Sequence, residues 1–122
     1  MTIREAIKRV DDLVPNDYSR AEKINWLSTL DGMLVREVLS HYEGGQTEFS
    51  GYDKDTDTAT KLLITAPYDE LYILWLESKI DFYNQELDRY NNSAVRFDDV
   101  LQSFKQEYNR THTHKRAPFI YC

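Results

Sequence analysis

The residues with the types and spacings that chemistry needs are few in this chain, and each fails on a stated requirement. Asp53-Lys54-Asp55-Thr56-Asp57 has the alternating carboxylates of a calcium loop. An EF-hand also needs glycine at its sixth position and a bidentate glutamate at its twelfth, and those positions hold Thr58 and Ile64. His112 and His114 alternate, so an extended segment would place both imidazoles on one side, but no carboxylate follows Glu107 to complete a metal site. Asp98 and Asp99 are neighbours on a helix and diverge by about 100°, too far to share a proton. Glu43-Gly44-Gly45-Gln46 lacks the strand, the helix start and the lysine of a phosphate loop. Cys122 is the single cysteine, which leaves no partner for an internal disulfide and no cysteine-based zinc site. The reading is a non-enzymatic chain with no catalytic residue, no metal site and no cofactor.

The elements that would carry these residues follow from the apolar periods. Thr2 and Glu5 form a capping box ahead of Ile3, Ile7, Val10 and Val14, one face of a helix that Pro15 stops. Ser19 and Glu22 open a second helix through Ile24, Leu27, Leu30, Leu34 and Val38 to Tyr42, with Gly32 inside it at a cost of about 1 kcal/mol relative to alanine. A tight helix crossing or simple tolerance would both accommodate that glycine. Residues 43–60 have no helical period and form an acidic loop, functional or flexible for its length. Leu62-Leu63-Ile64-Thr65 reads as a short extended segment that needs a partner, and a second copy of the chain is one solution.

From Tyr72 to Tyr108 the apolar residues Leu76, Ile80, Tyr83, Leu87, Tyr90, Ala94, Phe97, Leu101 and Phe104 keep spacings of three and four without a phase slip. The spacing predicts one long helix, straight or bent at Asn91-Asn92-Ser93, in preference to a helical hairpin. Tyr83 and Tyr90, at the centre of the stripe, are expected in the core. A helix of that length would run about 54 Å, longer than a small domain is wide, so part of the stripe is left for other copies or partners to cover. The predicted class is all-α: a small helical bundle built on this C-terminal helix, one domain over residues 1–111, and an extended tail over 112–122. The tail carries His112, His114, Lys115, Arg116, Phe119, Ile120 and Tyr121 and no acid, and it reads as a partner-docking segment. Leu62, Leu63, Ile64, Tyr68, Tyr72 and Trp75 are the candidates for contacts between subunits, because orphan extended backbone and half-buried tyrosine suit such surfaces.

Composition agrees with a folded, assembling chain. Fifteen basic residues against twenty-one acidic ones give a net charge of −6, which argues against a groove that grips nucleic acid through many phosphates. An apolar fraction of 41% is too high for an intrinsically disordered chain of 122 residues. No apolar stretch spans a bilayer, and residues 1–14 are too charged for a signal peptide, so the expectation is a soluble intracellular domain, and the sequons at Asn91 and Asn109 carry little weight. Sixteen aromatic side chains (nine Tyr, five Phe, two Trp) are many for 122 residues, and either the core or half-buried surfaces between chains would use them.

Several segments carry a family resemblance: Asp53-x-Asp55-Thr56-Asp57, Leu62-Leu63, Pro67-Tyr68-Asp69-x-Leu71-Tyr72, Asp81-Phe82-Tyr83-Asn84, Arg89-Tyr90-Asn91-Asn92-Ser93 and Tyr108-Asn109-Arg110-Thr111-His112. Over Thr2 to His112 the chain resembles small proteins of Firmicutes prophages encoded between capsid and tail. With its size, helical content and C-terminal tail it resembles the head–tail connector (adaptor) proteins of tailed phages. That resemblance implies a mostly helical ring subunit beneath the portal, in the virion neck, and in the host cytoplasm during assembly. The partners it implies are the portal protein, a stopper or tail-completion protein, and further copies of itself, with DNA only passing through the lumen and no membrane. It implies that the tail, 112–122, docks on the portal, and it transfers no enzymatic residue. The acidic insertion 44–60 has no counterpart in that pattern. Two other classes compete: a small-terminase type of DNA-packaging factor, which needs a basic recognition helix, and a small metal-binding protein using Asp53–Asp57.

Overall fold

A computed structural model describes residues 1–115. Its elements are α1 (Ile3–Leu13), α2 (Arg20–Glu37), a 3-10 turn (Leu39–His41), α3 (Glu70–Tyr83) and α4 (Leu87–Thr111), an all-α fold with no strand among the described residues. The helix starts are where the capping residues place them. Thr2 Oγ1 accepts from the Glu5 amide and the Glu5 carboxylate accepts from the Thr2 amide, while Ser19 Oγ accepts from the Glu22 amide.

The apolar spacings give α3 its central position. Leu71, Tyr72, Leu76 and Ile80 are fully enclosed, and α3 touches each of the other three α-helices. Against it pack Ile3, Ala6, Ile7 and Val10 of α1 and Ile24, Leu27, Leu30 and Leu34 of α2. Among the helices, α4 packs on α3 alone, and only Ser93, Leu101 and Phe104 of its 25 residues are buried. The predicted long C-terminal helix is therefore present at about 37 Å, but it begins at Leu87. The apolar stripe of 72–108 is shared between two helices folded against each other, because the chain reverses at Asn84-Gln85-Glu86 and not at Asn91–Ser93, which lie inside α4. Folding the stripe in half lets its two halves cover each other.

The acidic loop is pinned from both sides. Thr58 and Thr60 offer their carbonyls to the Arg4 and Ile3 amides at 2.9 and 3.0 Å, which satisfies two first-turn donors of α1. Tyr52 is held on α2, its amide donating to Ser28 Oγ at 2.9 Å. Phe49 lies over Gly32, where an added Cβ would sit 3.5 Å from the ring; this is ordinary contact, and no tight crossing demands the glycine. The extended segment finds its partner within the chain: the Leu62 amide donates to the Met1 carbonyl at 2.9 Å, and Lys61 pairs with Thr2.

Candidate functional site: an exposed aromatic face at the helical turn

The turn between α3 and α4 is a helix C-terminus of the Schellman type. The Gln85 amide donates to the Phe82 carbonyl at 3.1 Å and the Glu86 amide to the Asp81 carbonyl at 2.9 Å, with Gln85 at a positive φ of 61°. This closure ends α3 and reverses the chain into α4. Phe82, Tyr83 and Leu87 are left 49, 52 and 63% exposed, three large apolar side chains within six residues.

The face is anchored on the core by a run of rings. Trp26, buried on α2, stacks parallel to Tyr83 at 5.7 Å between centroids, and Tyr18 meets Trp26 edge-on at 5.5 Å. Phe82 then meets Tyr83 and Tyr90 at 5.3 Å each. The Tyr18 hydroxyl donates to Asn84 Oδ1 at 2.8 Å, tying the α1–α2 connection to the turn. Beneath it Asp81 is buried, accepting from Ser93 Oγ at a long 3.4 Å, and burial pushes its carboxyl above the usual range. Glu77, one turn earlier on α3, is raised for the same reason. The result is a rigid aromatic surface backed by a core tryptophan, a form that suits docking of another apolar surface.

The predicted subunit contacts lie elsewhere. Leu62, Ile64 and Tyr72 are buried in the chain's own core, so they have no surface to offer a second copy. Leu63, Tyr68 and Trp75 are half-buried on neighbours of the same chain: the Leu63 amide points at Asp31, Tyr68 meets Phe104 at 5.9 Å, and Trp75 Nε1 donates to the Trp26 carbonyl at 2.8 Å. Tyr83 is half-exposed where the stripe predicts core, and Tyr90 is partly covered. Sequence reasoning missed Phe82, Tyr83 and Leu87 as a surface. The signal available was Phe82-Tyr83 itself: adjacent side chains on a helix point about 100° apart, so both cannot face the side that Ile80 faces.

The start of the tail folds back onto the chain. The Glu43 amide donates to the Thr113 carbonyl at 2.8 Å and the Lys115 amide to the His41 carbonyl at 2.9 Å. His112 stacks on Tyr108 at 3.7 Å and meets Tyr42 edge-on at 6.3 Å, and His114 leans on Tyr42 at 4.2 Å. Arg116, Phe119, Ile120 and Tyr121 lie outside the described residues. A groove of about 640 Å³ opens beside this root, between α4 and the segment ahead of α3, floored by Tyr68, Phe104 and Tyr108.

Two of the three carboxylates of Asp53–Asp57 are engaged in the loop's own turns. Asp53 Oδ1 accepts from the Asp55 amide and Asp57 Oδ1 from the Ala59 amide, both at 2.9 Å. Among the described residues no three His, Cys, Asp or Glu side chains gather as a metal site would require. No known protein family matches the chain, nor does any curated protein or solved structure.

Proposed function

We propose that this chain is a non-enzymatic structural subunit, a head–tail connector whose copies form a ring between the capsid portal and the tail of a phage. The observation that carries the reading is the exposed aromatic face of Phe82, Tyr83 and Leu87 on a rigid hairpin. Large apolar side chains held rigid and left in water are what a subunit keeps for its neighbours. The length of α4 with few buried residues supports the same reading, as does the prophage resemblance in sequence. The ring places the protein in the virion neck, after assembly in the host cytoplasm, with the portal above, a stopper or tail-completion protein below, and DNA in the lumen. The acidic balance of the chain suits a lumen through which DNA slides.

The small-terminase reading needs a basic helix face. On α2, Lys23 is buried against Asp11 at 2.7 Å, which leaves Arg20 and Arg36 alone against the acids of that helix. The test of the connector reading is mass measurement of the purified chain with the portal protein encoded in the same prophage. The expected outcome is a complex carrying many copies of this chain per portal ring. A chain that ignores the portal at all concentrations overturns it.

A further inference from the structure

The exposed aromatic face and the C-terminal segment lie at opposite ends of α4. Phe82, Tyr83 and Leu87 mark the end where α3 turns into α4. The segment departs from the other end, where Tyr42 holds His114 and itself lies edge-on to Tyr108 at 4.8 Å. Its pairing runs from Thr113 beside Glu43 to Lys115 beside His41, which carries the chain away from the Gly44–Gln46 side on which the neighbouring groove opens.

Reach decides what the segment can cover. From Tyr108 to Leu87 is 21 steps along α4, about 32 Å. Ile120, the middle of Phe119-Ile120-Tyr121, lies five residues past Lys115, at most about 17 Å even when fully extended. That is about half of the Tyr108–Leu87 distance. Charge favours a meeting of segment and face in another way. All twenty-one acidic residues precede residue 108, against twelve of the fifteen basic ones, and the other three basic residues are Arg110, Lys115 and Arg116. Exposed Glu86 and Asp88 flank Leu87 in the face itself.

The geometry points to an exchange between copies: residues 116–122 of one chain cover the Phe82–Tyr83–Leu87 face of the next. Two different surfaces meet in such a contact, so it repeats head to tail and generates a ring or an open filament. The inference rests on the assembly reading above and names the surfaces through which copies join, independently of any portal.

Complementation by sedimentation velocity tests it with two altered chains, Phe82→Ser/Leu87→Ser and a chain ending at Lys115, each verified for helix content. The wild-type chain associates with rising concentration, and each altered chain alone stays monomeric. Mixed, they form heterodimers and nothing larger, because one supplies only the segment and the other only the face. Three results each overturn the inference: a wild-type monomer throughout, association that survives loss of residues 116–122, or a mixture that stays monomeric. Heterodimers without portal binding would uphold the exchange and sink the connector reading; portal-bound rings from the chain ending at Lys115 would do the reverse.

Discussion

Asp31 is the residue on which the interior turns. Its carboxylate is fully enclosed and accepts from the Tyr72 and Tyr52 hydroxyls at 2.6 Å each and from the Leu63 amide at 3.3 Å, while the Tyr72 oxygen accepts from the Ile64 amide at 2.8 Å. One carboxylate thereby fixes α3, the acidic loop and the segment ahead of α3 onto α2. Burial pushes its pKa above the usual carboxylate range against the pull of those hydrogen bonds, and it raises both tyrosines as well. Asp31→Ala leaves the enclosed Tyr72 hydroxyl and the half-buried Tyr52 hydroxyl without an acceptor, and an unsatisfied buried group costs about 1–3 kcal/mol. The expected loss is about 3 kcal/mol in urea unfolding, with the loop of residues 43–65 gaining protease sensitivity before the helices do. A change below about 1 kcal/mol would show that the network is dispensable. In the sequence Asp31 is an acid between Leu30 and Gly32 with no mark of burial, because its partners Tyr52 and Tyr72 are 21 and 41 residues away.

The α3–α4 turn governs the architecture at the level of elements. A helix that closes in the Schellman manner usually has glycine at its left-handed position; here it is Gln85. With no glycine or proline between Tyr83 and Leu87, the apolar period runs through the break, and the sequence reads as one helix. The left-handed conformation costs a side-chain-bearing residue about 1–2 kcal/mol, part of which glycine returns through its greater freedom when unfolded. Gln85→Gly is therefore expected to stabilise the fold by about 0.5–1 kcal/mol, read as a higher urea midpoint with unchanged helix content. A destabilised variant would mean that the Gln85 side chain contributes contacts that outweigh its backbone strain. The helix caps at Thr2 and Ser19 were legible because their partners are three residues apart; this turn was not, because the packing of α4 on α3 compensates for an unfavourable local residue.

For the molecule as a whole, three carboxyls define the response to acid. Asp31, Glu77 and Asp81 are all raised by burial, so between their ordinary pKa and their folded one the native state binds more protons than the unfolded chain. Stability from these groups is complete below the ordinary carboxylate range and is lost as pH rises through the folded values. Exposed Glu5, lowered chiefly by the Thr2 amide bond, works in the opposite direction at lower pH. The urea midpoint at pH 5 is accordingly expected to equal or exceed that at pH 7. A clear fall on moving to pH 5 would contradict this account of the buried acids. The aromatic face and the C-terminal root belong to the same scale, since they are separated by the length of α4.

Local patterns were enough for the all-α class, the starts of the first two helices and the stop at Pro15, since periods of three and four and capping pairs act within a few residues. The same patterns predicted one continuous stripe over 72–108, and the reversal at Asn84-Gln85-Glu86 divided it between two packed helices. Which of the stripe's side chains meet water was fixed when α3 and α4 folded together: Tyr72 and Ile80 went inward, Tyr83 and Leu87 stayed out, and Phe82 beside them stayed out too. The partner of Leu62 and the use of Asp31 were likewise settled by contacts between distant stretches of chain. Periodicity reports which side of a helix is apolar; only packing determines which part of that side is covered.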